Sequence, residues 1–555
     1  MKESGFSALV LGLTALAFRV LSSADLSNDH YMHLAWAQQL LFGQLPGRDF
    51  VDPGMPLAYA ISAAAQWMRP GPFTELVLSA ALLGLAAAVT YLVAERLSGS
   101  APVAIGVTLL EVAFQPRFYS YPKILVPAVA MLIFQRYADK RTLPWLVTLG
   151  VWTGLAGLLR HDLAVYAAVG ISAGLLALRW PDRRRAFSSV AVYGSLVTAT
   201  LIPYALFVRW SEGIAEHLRR GLEFSKAEAH QRIFALPPLT SFDFLAWGRE
   251  DAAAFLFYAA HAAVLITIAI LLGRRIRHSP EERAAATAAT AMLAAYLAVI
   301  LRHPLDARLP DLAAVVAIVL AWILGQAWQV VAESLKRGPT GITSSGSTSF
   351  ARFGQATLVA AAAMALALST ARSVWVLEKL PEAIDNTGVY GGVNGMVDTV
   401  TDLKERGSVW PWARSWPSRE LPDAVRYLNE CTEPTDALLT TWPAPEYGFF
   451  ARRPFAAGHA EFLPPRAFAT DTDQQQMLAW LRAQRVPVAL VNEPRREEFA
   501  GAYPKIDAYL RAGYREAGRF TIYDGSNIIV AVRSDLRGRR TWGPQGWPCD
   551  LEPVR

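Results

Sequence analysis

The chain has 555 residues, of which 53% are hydrophobic and 18% charged, with a formal net charge of +6. A soluble protein with this composition and a mean hydropathy of +0.24 would expose extensive apolar surface, so the chain reads as a membrane protein. The absence of a Lys/Arg block interleaved with aromatics argues against nucleic acid as a partner.

Residues 1–378 alternate long apolar runs with short polar loops, whereas 379–555 are richer in Pro, Asp, Glu and Arg. The expected architecture is a polytopic α-helical membrane domain over 1–378, with a long first outer loop at 24–72, and a soluble α/β domain over 379–555. Candidate spans begin at 6–22, 73–97, 101–114, 122–137, 144–159 and 162–179, and continue at 187–209, 252–273, 284–301, 309–333 and 356–378. That is about eleven helices, each near the ~20 apolar residues a bilayer requires, with 101–114 and 144–159 the shortest. The stretch 54–69, GMPLAYAISAAAQWMR, is short and Trp-tipped, which suits a helix lying along the interface. LSSAD resembles a small-residue cleavage site, but the leading MKESGF carries one charge of each sign, so the first segment is read as a retained span.

Basic residues recur on one set of loops: Arg96, then Arg136, Lys140 and Arg141, then Arg179 and Arg183 to Arg185. Arg274, Arg275, Arg277, Arg283, Lys336, Arg337 and Arg352 complete the set. The positive-inside rule then places the N-terminus in the cytoplasm. It places 24–72 and the C-terminal domain outside, in a multi-pass protein of a bacterial-type inner (plasma) membrane.

In the C-terminal domain LPDAVRYLNEC and QQQMLAWLRAQR have helical spacing, and ALLTTW and VPVALVNE read as strands. FTIYDGSNIIVAV reads as a hairpin turning at Asp524-Gly525. Cys431 and Cys549 both lie here. Two thiols are too few for a four-thiolate zinc site, and an extracytoplasmic location would allow them to pair.

Asp25, Asp29, Asp49 and Asp52 follow the first span. Carboxylates beside a bilayer are costly unless they face water, a partner or a substrate. The outward loops also carry cations among other polar residues: Arg117 and Lys123 with Tyr119 and Tyr121 in one, and Arg160 and His161 with Asp162 in another. The 210–250 loop has His217, Arg219, Arg220, Lys226, His230 and Arg232, and a further loop has Arg302, His303, Asp306, Arg308 and Asp311. Arginine forks and lysine point charges suit phosphate oxygens, although snorkelling and mutual ion pairing would also account for single residues. Asp29 suits a general base, and Asn28 or Asp29 would equally cap the helix HYMHLAWAQQLL. Asp49 and Asp52 flank GRDFVDPG as turn residues or as supporting site residues. His30 and His33 share a helix with Asp29, so a divalent metal is possible, but no second HxxxH or thiolate cluster accompanies them.

These residues together resemble the GT-C superfamily of integral-membrane glycosyltransferases, in the manner of protein mannosyltransferases and aminoarabinose transferases. The resemblance rests on Asp29-His30-Tyr31, Ala35 or Ala37, Leu40-Leu41-Phe42-Gly43, the stretch Gly47 to Leu57, LLRHDLAVY after Gly154 and Gly157, and DALLTTWPAPEYGFFARRP. His30 stands where many members have an acid. The resemblance implies a sugar donor linked to polyprenyl phosphate, Asp29 as base, and a lipid, glycan or protein acceptor among membrane lipids. Arg117, Tyr121, Lys123, Arg160, His161, Asp162, Arg302 and Arg308 are the candidates for binding the donor phosphate. A transporter or flippase for an anionic lipid or solute is the rival reading, but no internal repeat is visible to support it.

Overall fold

The structure, a computed structural model, describes residues 2–23, 26, 28–180, 182–230, 259–269, 279–302, 306–336, 376–408, 420–462, 469–522 and 525–554, with part of 357–371. In chain order the helices begin with α1 (Lys2–Leu21), α2 (Asn28–Leu41), α3 (Pro56–Met68), α4 (Pro72–Ser98) and α5 (Ala101–Ala113). They continue with α6 (Tyr121–Lys140), α7 (Leu143–Leu159), α8 (His161–Arg179), α9 (Arg183–Ser211) and α10 (Ile214–His230). Next come α11 (Ala259–Ala269), α12 (Pro280–Arg302), α13 (Ala313–Lys336), α14 (Val376–Asn386) and α15 (Gly392–Ser408).

Among the described residues, seven helical stretches are long and apolar enough to cross a membrane: Ser4–Leu21, Pro72–Ser98, Phe118–Lys140, His161–Arg179, Arg183–Ser211, Pro280–Ile300 and Arg308–Trp328. The shorter apolar helices α5, α7 and α11 fall at three more of the expected spans. The expected span 356–378 is described only in part, and its described residues are helical. The 210–250 stretch, expected as a loop, is helical over α10, because its apolar residues recur at helical spacing.

The chain divides into two compact units. One comprises Met1–Ser23, Ser79–Ile202 and Arg232–Met396, and the other Ala24–Leu78, Pro203–Gln231 and Val397–Arg555.

Within the first unit, small residues allow close helix packing, as is usual where lipid supplies no hydrophobic drive between helices. A Cβ on Gly174 of α8 would lie 2.5 Å from the Phe134 ring of α6 and 2.8 Å from Ala288 Cβ of α12. Arg19 of α1 is buried, donates to the Pro116 carbonyl at 2.6 Å and sits 4.5 Å over the Phe118 ring. It thereby fixes the turn that leads into α6.

The second unit contains α16 (Glu420–Cys431), β1 (Leu438–Thr440), α17 (Pro445–Ala451), α18 (Asp471–Ala483) and β2 (Val488–Asn492). They are followed by α19 (Arg496–Ala502), α20 (Pro504–Gly513), β3 (Tyr514–Thr521), β4 (Asn527–Arg533), β5 (Leu536–Trp542) and β6 (Trp547–Pro553). The main sheet runs β1-β2-β4-β3, with β1 and β2 parallel and the other pairs antiparallel. Alternation along β2 sends Val488 and Leu490 into one core, with Tyr427, Phe520 and Trp547, and Ala489 and Val491 into another, with Phe462, Phe499 and Ile506. The expected α/β layering is present, and β3 and β4 form the expected hairpin; Asp524 of its turn lies outside the described residues. The β5–β6 ribbon is an addition to the sequence reading. A disulfide joins Cys431 at the end of α16 to Cys549 of β6.

Candidate active site

Asp29 lies in the first turn of α2, where the free backbone N–H groups and the helix dipole favour a carboxylate. It is half-buried. The neighbouring His30 is buried, and its Nε2 lies 3.1 Å from Glu75 Oε1 at the start of α4. Ser62 Oγ of α3 donates to the same oxygen at 2.8 Å, so Glu75 ties three helices of this unit together. His30 is therefore a packing partner, and its ring centroid is 6.4 Å from that of His33. Among the described residues, no three His, Cys, Asp or Glu side chains gather as ligands for a metal ion.

Helix α2 rests on the α/β domain. Tyr31 packs against Phe449 and Phe450 with ring centroids 5.9 and 5.4 Å apart, and Gln38 Nε2 donates to the Phe449 carbonyl at 3.1 Å. The path of 455–462 is held on both sides. Phe455 pairs with Leu438 of β1, and the Gly458 carbonyl accepts Val51 N at 3.0 Å. Gly458 has φ +72°, and a Cβ there would meet the Trp480 ring at 2.3 Å, so only glycine fits. Ala460 then closes on Ala35, Trp36 and Phe50.

This path brings Glu461 within the electrostatic reach of Asp29. Burial, and after it the charges of Asp29 and Glu446, push the Glu461 carboxyl up to about 8, so it keeps its proton at neutral pH. Burial and then the Arg220 charge push His459 down to about 3, leaving it neutral. Sequence reasoning missed Glu461 because nothing in its local pattern marks it; only the chain path does. Glu75 had a weak signal as a lone carboxylate entering an apolar run.

Asp49 and Asp52 hold their own loop. Asp49 accepts Leu45 N at 2.8 Å and Arg48 NH2 at 2.6 Å. Asp52 accepts Gly54 N at 2.8 Å through one oxygen and Tyr204 Oη at 2.6 Å through the other. Beyond Tyr204, His217 Nδ1 lies 2.7 Å from Glu212 Oε1, and Arg220 NH1 donates to Glu212 Oε2 at 2.9 Å. Burial works against a proton on His217, but the hydrogen bond and charge of Glu212 and the charge of Asp52 outweigh it and raise its pKa. Arg219 donates to Glu216, Glu223 and Asp473 at 2.6 to 2.8 Å. Arg219 and Arg220 are thus engaged by carboxylates.

In the first unit, separate loops meet. Lys123 is ion-paired with the buried Asp311, and Arg160 Nε donates to Asp162 Oδ1 at 2.8 Å. The charges of Arg160 and Asp162 reach Lys123, so these four residues form one cluster. Tyr166 Oη donates to Asp162 at 3.1 Å, Tyr296 Oη donates to the Lys123 carbonyl at 3.3 Å, and the two rings lie 4.5 Å apart. Tyr121 is buried at the start of α6 and His161 is exposed at the start of α8. Arg117 is exposed and donates to Tyr119 Oη at 2.9 Å, while Arg308 sits half-buried in a 3-10 turn over Asp306–Leu312. Arg302 ends α12, and its side chain, like Asp25, His230, Arg232 and His303, lies outside the described residues. A paired lysine and arginine with adjacent tyrosine hydroxyls can bind an anion bidentately if a carboxylate yields one contact.

No family model matches the chain, and no curated protein matches it. Among solved structures, it is similar to the crystal structure of ArnT from Cupriavidus metallidurans bound to undecaprenyl phosphate, at 12% identity and a TM-score of 0.48, over 95% of this chain and 96% of that one.

Proposed function

We propose that the chain is an inverting membrane glycosyltransferase that moves a hexosyl or pentosyl group from a polyprenyl-phosphate donor to an acceptor hydroxyl on the extracytoplasmic face. The acceptor oxygen attacks the anomeric carbon, the bond from that carbon to the phosphate oxygen breaks, and its electron pair leaves on the phosphate. Asp29 takes the hydroxyl proton. Lys123 and Arg160, with Arg117, Arg302 or Arg308, bind the departing lipid phosphate, which already carries charge and needs no general acid.

The observation that carries this reading is the place of Asp29, half-exposed at a helix N-terminus and within the electrostatic reach of a protonated Glu461. Asp49 and Asp52 are engaged by their own loop and by Tyr204. A protonated neighbour adds no negative charge and does not compete for the acceptor's proton. The resemblance of the Asp29-His30-Tyr31 region to GT-C enzymes supports the same role, as does the outward placement of the cations by the positive-inside rule.

Asp29→Asn tests it. Transfer in isolated membranes should fall by about 10²–10⁴-fold at an unchanged amount of protein, and full transfer by the variant would overturn the assignment.

A further inference from the structure

Helix α10 has two unlike faces. Its polar face is occupied within its own unit: Arg219 binds Glu216, Glu223 and Asp473, and Arg220 binds Glu212 and Glu216. Asp473 belongs to α18, so these arginines join α10 to the α/β domain. The other face carries Ile214, Leu218 and Leu222 at spacings of four, with Ala215 and Gly221 between them. All five are exposed, Leu218 at 59% and Leu222 at 62%.

A stripe of this kind in water would be an adhesive patch. What covers it follows from continuity. Helix α9 is long and apolar enough to span a membrane and carries exposed Leu206 and Trp210 along its last turns. Trp at the end of a span is characteristic of the membrane–water interface. Gly213, at φ +88°, makes the turn, and the exposed apolar stripe resumes at once with Ile214. The chain therefore leaves a span at an aromatic anchor and enters an amphipathic helix of 17 residues. An amphipathic helix in that position buries its apolar face at the boundary of headgroups and acyl chains.

We propose that α10 is an in-plane interfacial helix whose Ile214, Leu218 and Leu222 lie in the bilayer surface, while Arg219 and Arg220 hold the α/β domain down through Asp473. The partner is the lipid bilayer itself. The seated domain is the one whose 455–462 segment packs on α2.

Nitroxide labels test this in the full chain, reconstituted into nanodiscs of phosphatidylethanolamine and phosphatidylglycerol. Labels are placed at Leu218→Cys or Leu222→Cys, with Glu497→Cys in α19 as the aqueous reference; Cys431 and Cys549 are disulfide-bonded and do not take the label. The ratio of collisions with oxygen to collisions with a water-soluble nickel chelate should be several-fold higher at 218 and 222 than at 497. Water-like ratios at 218 and 222 would overturn the proposal. Strongly immobilised spectra there would also overturn it, because they would show a protein contact in place of lipid. The measurement does not depend on sugar transfer, so its outcome and that of Asp29→Asn are independent.

Discussion

Two charged clusters in this molecule use the same residue types to different ends. In the first unit Lys123 and Arg160 meet Asp311 and Asp162, one carboxylate for each cation. In the second unit Arg219 and Arg220 face Glu212, Glu216, Glu223 and Asp473, two cations against four carboxylates. A cluster with excess negative charge repels phosphate and serves as a clamp. The balanced cluster is the one we propose for the donor phosphate, which would exchange with a single carboxylate contact. A sequence shows the cations of both clusters but not the acids that each has already met.

Paired substitutions can break this comparison. Arg220→Ala removes one of the two partners of Glu212, leaving it His217, and also releases Glu216; it should cost about 2–3 kcal/mol of stability, read as a lowered thermal midpoint in detergent, while transfer per folded molecule is unchanged. Arg160→Ala should instead lower transfer by about 10²–10³-fold, with donor KM raised. The comparison fails if Arg220→Ala abolishes transfer in molecules that remain folded, or if Arg160→Ala transfers normally.

A smaller effect is expected at Asp52. Asp52→Asn weakens the bond from Tyr204 and should lower stability by about 1–3 kcal/mol, with far less loss of transfer than Asp29→Asn. Equal losses of transfer would return Asp52 to the reacting centre.

The smallest effect is in pH dependence. Glu461 binds its proton more tightly when folded, so its contribution to stability is lost as pH rises from the ordinary glutamate range through about 8. His459 is depressed to about 3, so its contribution grows as pH rises from there toward the ordinary histidine range. The thermal midpoint should therefore decline on the alkaline side between roughly pH 6.5 and 8.5. Glu461→Gln should flatten that decline, and an unchanged slope in this variant would remove Glu461 from the account.

Much of the fold was legible because its causes are local. Apolar runs near the length of a bilayer set the helices, and basic loops oriented them in the reading. The short apolar runs in VPVALVNE and SNIIVAV marked β2 and β4, both of which are largely buried. The 210–250 stretch was read by its charges, which hid the apolar stripe of α10 beneath them. As proposed site residues, Asp29 stands out by its position after the first span, and Lys123 and Arg160 by the loops that the positive-inside reading turns outward.

The sequence by itself determined which segments are apolar, where the carboxylates and cations fall along the chain, and that two cysteines share one domain. Tertiary structure alone decided the pairings: Lys123 with Asp311, His30 with Glu75, Asp52 with Tyr204, and Cys431 with Cys549. It also decided that Glu461, hundreds of residues from Asp29, stands near enough to feel its charge. The reason is physical. Hydropathy and propensity act over a few residues, whereas charge pairing and desolvation depend on distances that exist only once the chain has folded.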